Sequence, residues 1–201
     1  MRLPADQRRQ QLIDVARDVF SERGFHATSM DEVALAAGVT KPVVYQHFPS
    51  KRALYIELLQ DTGGHLLRNL EQATRRATTG RERVEEGFAA YFRFVVQNRS
   101  AFRLLFGASI RNDPEFSRIV EGTIAAAVEE VSTLIDIGGS SEQRTVLANA
   151  LVGMAEGVSR RAVRDPDAED DANRLARWVA EFAWFGLRGV RADESTPAQY
   201  S

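Results

Sequence analysis

The chain reads as an all-α protein of about nine helices, and three observations carry that expectation. Apolar residues recur at three- and four-residue spacing along most of its length, no segment shows the strict alternation of a half-buried strand, and Gly, Pro, Ser and Asp fall where helices need starts and stops. With 201 residues, 44% of them hydrophobic, the chain can bury a core as one large domain or as a small domain fused to a larger one. It contains no cysteine, which excludes disulfides, thiolate metal sites and a cysteine nucleophile and suits a reducing cytosol. Its N-terminal stretch lacks the apolar core of a signal peptide, and nowhere do about 18 apolar residues run uninterrupted, so the expectation is a soluble, cytoplasmic chain without a membrane partner.

The first helix is expected over roughly residues 5–23, where Leu12, Ile13, Ala16, Val19 and Phe20 share one face and Gly24 supplies the stop. A second, short helix opens at Ser29 with Glu32 three residues on, the spacing of a capping box, and ends at Gly38. Thr40 caps a third helix whose first turn tolerates Pro42, because a first-turn N–H has no intrahelical partner to lose; Pro49 ends it. Ser50 caps a fourth, over about 51–77, with Leu54, Leu58, Leu59, Leu66 and Leu70 inside and Gly63-Gly64 as an expected soft point. Beyond Gly80 a fifth helix presents Val84, Phe88, Tyr91, Phe92 and Val95, and a sixth carries Phe102, Leu105 and Phe106 before Gly107. Asp113-Pro114 starts a seventh, with Phe116, Ile119, Val120, Ile124, Ala127, Val131 and Leu134 at helical spacing before Gly138-Gly139. The eighth begins at the capping sequence Ser140 to Gln143 and runs to about residue 163. The ninth covers about 169–190 beyond an acidic turn at Pro166, and residues 192–201 read as a frayed tail.

Charge is unevenly placed. The formal net charge is −2, yet residues 1–52 carry eight basic against six acidic side chains, a local excess of +2, and binding follows local patches rather than the total. Between residues 29 and 48 two short helices meet at a turn containing Gly38, with Val39 placed to bury itself between them, which is a helix-turn-helix. In such a motif the second helix enters the major groove. Thr40 and Lys41 can reach phosphates, Tyr45 and His47 add polar tips, Gln46 can read adenine N7 and N6, and Val43 can meet a thymine methyl. The amides of Thr40 to Val43 are a further expected phosphate site. His47 can equally be a packed helix-end histidine, and Arg2, Arg8 and Arg9 either a solvated tail or an arm that touches the DNA.

The run Gly24-Phe25-His26-Ala27-Thr28-Ser29-Met30-Asp31-Glu32-Val33-Ala34, followed by Ala36-Ala37-Gly38-Val39-Thr40-Lys41-Pro42-Val43-Val44-Tyr45-Gln46-His47-Phe48 and Pro49-Ser50-Lys51, closely resembles the N-terminal domain of the tetracycline-repressor (TetR) family. The resemblance spans about residues 8–60, in a family domain taken as 8–67. It implies a three-helix DNA-binding domain over 1–50 joined to a larger helical effector-binding and dimerisation domain over 51–201. By matching positions, Thr28, Thr40, Lys41, Tyr45, His47 and Lys51 would contact phosphates, while Lys41, Pro42, Val43 and Gln46 would face bases. Many relatives carry a small residue where Pro42 stands; proline removes a donor and adds an apolar wedge, so base preference there does not transfer.

The resemblance further implies a homodimer on a palindromic operator in double-stranded DNA, most often as a repressor. Its last two helices would form the dimer interface through Leu147, Leu151, Val158, Leu175, Trp178, Val179, Phe182 and Phe185. It places Phe88, Tyr91, Phe92, Phe102, Leu105, Phe106, Ile119, Val120, Thr123 and Met154 around an effector, with Tyr91, Thr123 and Asn149 as orienting polar groups. Each is also an ordinary core position. Few charges fall among them, which favours a small, non-covalent and largely apolar effector such as a fatty acyl compound or a lipophilic drug, and no resident cofactor. An enzyme is disfavoured: His26, His47 and His65 are scattered, and no hydrolase, P-loop or dinucleotide-binding motif occurs. A helical module binding protein through its helix-turn-helix is the remaining alternative, and it would show no salt-dependent DNA affinity.

Overall fold

The computed structural model describes residues 4–106, 110, 112–137, 139–164 and 172–193. Among them are nine helices and no strand: α1 (Ala5–Ala27), α2 (Met30–Ala36), α3 (Lys41–His47), α4 (Lys51–Arg75), α5 (Gly80–Gln97), α6 (Arg99–Phe106), α7 (Pro114–Leu134), α8 (Ser141–Arg164) and α9 (Ala172–Gly189). Each expected helix is present. Gly24 does break α1, at φ 77°, but one further turn follows it and carries the buried Phe25. The expected stops at Gly107 and Gly138, the acidic turn at 165–171, the side chain of Arg2 and the tail from 194 lie outside the described residues.

By packing, the chain forms two compact units, residues 1–65 with 98–123 and residues 66–97 with 124–201. This differs from a division at residue 50, because α6 and the first half of α7 pack with the N-terminal helices. In the first unit Leu12, Ala16, Phe20, Val33, Val44, Phe48, Leu54 and Leu58 are closed off from solvent. Four rings tie three helices together: Tyr55 lies 5.0 Å from Phe20, 5.0 Å from Phe25 and 4.8 Å from Phe116, and Phe25 lies 5.0 Å from Phe116. Edge and tilted ring contacts of this kind add to the area that they bury.

Gly63 has a packing role beside its expected one. α4 runs unbroken through Gly63-Gly64, and a Cβ at Gly63 would stand 2.5 Å from Thr123 Oγ1 and 2.9 Å from Thr123 Cγ2. This glycine is a point of close helix approach to α7.

In the second unit α5 packs against α8 and α9. α9 turns Ala176, Ala180 and Ala183 inward, small residues at helical spacing that let its backbone come close to its neighbours. Capping accounts for both helix starts. Thr79 Oγ1 accepts from the Glu82 amide at 3.1 Å and opens α5; Ser140 Oγ accepts from the Gln143 amide at 3.1 Å and opens α8, as its sequence indicates. The segment after α9 is held rather than frayed as far as Asp193, whose carboxylate accepts from the Ser140 amide at 2.7 Å while Gln143 Nε2 donates to the Arg191 carbonyl at 2.7 Å.

Candidate nucleic-acid interface

α2 begins with both halves of the capping box: Ser29 Oγ accepts from the Glu32 amide at 3.2 Å, and Glu32 Oε2 accepts from the Ser29 amide at 2.8 Å. The bonds that the Ser29 amide and the Ser29 hydroxyl donate to Glu32 Oε2 hold this carboxyl below its ordinary pKa. The helix ends at Ala37 and the chain turns at Gly38, whose φ of 65° is a left-handed value that glycine adopts freely. Gly38 donates to the Leu35 carbonyl and Val39 to the Ala34 carbonyl, at 3.1 and 3.0 Å, so the corner is rigid. Val39 is only half-buried; Val44 and Phe48 supply the fully buried contacts of α3.

That burial leaves the other face of α3 outward. Lys41, Pro42, Tyr45 and Gln46 are exposed, Val43 and His47 half-buried, and Thr40 is exposed with a hydroxyl that caps no helix N–H. The structure therefore brings the expected base-facing set to one surface. Its anion-binding start is smaller than expected, because Pro42 has no N–H and the Val43 amide donates to the Thr40 carbonyl at 2.9 Å. Lys41 Nζ lies 2.8 Å from Asp31 Oδ2, a bridge from α2 to α3, and this hydrogen bond raises the ammonium pKa.

Two expected phosphate ligands are engaged inside the protein. Thr28 is buried at the end of α1 and its hydroxyl donates to the Gly24 carbonyl at 2.9 Å. Lys51 Nζ donates to the carbonyls of Phe25, His26 and Thr28, at 2.8, 3.3 and 2.7 Å, and sits 4.6 Å above the Phe25 ring. It closes the C-terminal end of α1, where unpaired carbonyls concentrate. Arg9 is no loose arm either: Nη1 donates to the His47 carbonyl at 3.1 Å, Nη2 pairs with Glu57, and the guanidinium lies 4.5 Å over the Phe48 ring. The sequence reading missed this clamp on the end of α3, which pairs residues 38 positions apart.

The remaining site residues divide between the two units. Phe102, Leu105, Phe106, Ile119 and Thr123 belong to the first, where Phe102 and Leu105 are buried, the Phe102 and Phe106 rings are 4.6 Å apart, and Thr123 donates to the Ile119 carbonyl. Phe88, Tyr91, Phe92, Asn149 and Met154 belong to the second. There Phe88 and Phe92 stack at 6.2 Å and Tyr91 is buried. Asn149, in contrast, is exposed and its Nδ2 donates to the Thr145 carbonyl.

Of the expected interface residues, Leu151 turns into the core of its own unit and Leu147, Val158, Leu175 and Val179 are half-buried. Trp178, Phe182 and Phe185 point outward, with 57, 71 and 61% of their surfaces exposed. On α8 the exposed Val146, Gly153 and Gly157 share that character, and a Cβ at either glycine would meet open space.

Residues 12–58 match the model of bacterial regulatory proteins of the tetR family, and residues 80–186 match a tetracyclin repressor-like C-terminal domain. The chain is 36% identical over 191 residues to the HTH-type transcriptional activator FasR of Mycolicibacterium smegmatis, covering 94% of this chain and 87% of that protein. It is 32% identical over 181 residues to the HTH-type transcriptional repressor KstR2 of the same species, covering 90% and 78%. The crystal structure of a TetR-like transcriptional regulator from Rhodococcus sp. RHA1 superposes with a TM-score of 0.78 at 30% identity, covering 94% of this chain and 100% of that one. These relatives are transcription regulators and not enzymes, and among the described residues no helix is long and apolar enough to cross a membrane. Two family models in tandem on an all-helical chain with an outward-facing α3 place it: the chain belongs to the TetR family of bacterial transcriptional regulators.

Proposed function

We propose that the chain acts in the cytoplasm as a homodimer that binds a palindromic operator and is controlled by a small, largely apolar effector of the fatty acyl type. The observation that carries the DNA-binding reading is the exposed face of α3, presented by a helix whose opposite side is anchored through Val44 and Phe48. In this reading residues 1–50 hold the DNA contacts and 51–201 the effector and dimer roles. Lys41, Thr40, Tyr45 and His47 meet phosphates, and Pro42, Val43 and Gln46 face base edges. Thr28 and Lys51 act through the α1 end that they brace, with Lys51 at most sharing its ammonium with a phosphate.

Dimerisation is supported by the inverted amphipathicity of α9. Its small residues face inward while Trp178, Phe182 and Phe185 face solvent, an exposed apolar patch that a lone chain would have no reason to keep. A two-fold dimer sets its reading helices about 34–36 Å apart, one turn of DNA. The apolar side chains Phe88, Phe92 and Met154 of the second unit support a hydrocarbon effector, which shifts a two-state equilibrium only by its differential affinity for the two states. Repression by occupying a promoter is the sign adopted; activation is the second reading, favoured by the activator at 36% identity.

Selection of bound duplexes from a random pool tests the reading. The expected result is an inverted repeat whose affinity falls steeply with salt; recovery of no common sequence, or of asymmetric sites bound by single chains, would overturn it.

A further inference from the structure

Three side-chain oxygens are buried with no hydrogen-bond partner among the described residues: Thr62 Oγ1, Tyr91 Oη and Ser159 Oγ. Thr62 belongs to the first unit. Tyr91 on α5 and Ser159 on α8 belong to the second, in which these two helices pack on each other. Ser159 is fully buried and Tyr91 nearly so. Burial raises the Tyr91 pKa and the Ser159 hydroxyl beside it acts in the opposite sense, yet neither oxygen has a partner in hydrogen-bond geometry. Folded interiors leave few polar groups unpaired, and two on adjacent helices require a reason.

Their surroundings narrow that reason. α8 buries Leu151, Ala155 and Ser159 at four-residue spacing, with Met154 beside them, and α5 contributes the stacked rings of Phe88 and Phe92. The charged groups that bear on the phenol are Glu156 and Arg160, which pair with each other at 3.2 Å. Burial holds the phenol protonated, well above its ordinary range, so it is a hydrogen-bond donor.

We propose that Tyr91 and Ser159 form a two-donor cradle for a neutral carbonyl oxygen of the effector, the ester or thioester carbonyl of an acyl chain. This rests on the effector reading above and adds the atom that is recognised. Two O–H groups match one sp² oxygen with two lone pairs. A carboxylate fits poorly, since an anion buried among apolar side chains and next to Glu156 would lose its hydration without a countercharge of its own. A plain hydrocarbon would leave both hydroxyls unpaired, and sites built to hydrogen-bond a group reject analogues that lack it. No proton is transferred; the phenol and the serine hydroxyl donate and remain neutral.

The test is calorimetric titration of the full chain with palmitoyl-CoA and with S-hexadecyl-CoA, which keeps the chain and head group but replaces the carbonyl by a methylene. The wild-type chain is expected to prefer the thioester about tenfold, the scale of one or two net hydrogen bonds. Tyr91→Phe and Ser159→Ala should each erode that preference while leaving the thioether affinity unchanged. Both substitutions delete an unpartnered hydroxyl, so their melting temperatures should hold or rise, which separates a lost contact from a lost fold. Equal binding of the two ligands by the wild-type chain, or an undiminished preference in both variants, overturns the cradle and leaves the effector reading standing. Binding of neither ligand overturns the acyl reading and the cradle with it.

Discussion

Arg52, on the first turn of α4, grips Asp113 with both terminal nitrogens, at 2.8 and 2.9 Å, while its Nε donates to Glu115 at 2.7 Å and its plane lies 4.7 Å over Phe116. Asp113 also caps α7, accepting from the amides of Glu115 and Phe116 at 3.0 and 3.3 Å. One carboxylate thus joins the helix that follows the helix-turn-helix to the start of α7, which belongs to the same compact unit.

The latch predicts an acid dependence. Arg52 and the two amides lower the Asp113 pKa from 3.8 to about 2 on folding, so the folded chain binds that proton less readily than the unfolded chain. The stabilisation is complete above about pH 4 and is lost as the pH falls towards 2. Asp113→Asn keeps a capping oxygen but not the charge. Its melting temperature should lie below wild type at pH 6, with the gap narrowing below about pH 4 and closing only as the pH reaches about 2; a gap that does not change with pH would rule the latch out.

Lys41 and Lys51 should behave oppositely. Lys41→Ala is expected to weaken operator binding and reduce the slope of log affinity against log salt by about 1, with little change in stability. Lys51→Ala strips three carbonyls of a charged donor and should destabilise the fold by about 1–2 kcal/mol, with the salt slope kept. Denaturant titrations and salt-dependent gel shifts on both variants separate the roles; a slope change for Lys51→Ala would return it to the phosphate contacts.

Gly63→Ala places a methyl group against Thr123 and should cost about 1–3 kcal/mol. Removing Thr123 Oγ1 and Cγ2 in the Gly63→Ala/Thr123→Ala double variant should recover most of that loss. A double-mutant cycle read by urea denaturation reports the coupling, and additive effects would place the two residues out of contact.

Phe182→Glu puts a charge at the most exposed aromatic position of α9, where the protomer's own core is untouched. Sedimentation should show a folded monomer with helical content retained, together with a loss of operator binding, since each half-site then binds alone. A dimer that survives this change would move the interface elsewhere.

How much of this was legible without a fold follows from how local each signal is. The nine helices, the Ser29–Glu32 capping box, the Gly38 turn and the outward set on α3 depend on spacings of three to ten residues, and periodicity and capping chemistry report such spacings directly. The Arg9 clamp, the Lys51 closure, the Arg52 latch and the Gly63–Thr123 approach join residues 23 to 63 positions apart. No periodicity records them, so neither the carbonyls that Lys51 caps nor the close approach of Gly63 to Thr123 is visible until the helices are packed.

The amino-acid sequence by itself determined the helical class, the family and the position of the helix-turn-helix, because hydrophobic spacing and backbone caps act within a few turns of chain. Tertiary structure alone decided which cations are already occupied by carbonyls and carboxylates, which face of α9 is left bare, and which buried hydroxyls lack a partner. A charge or a hydroxyl declares its use only when the groups competing for it have been brought within hydrogen-bond distance, and that is a property of packing.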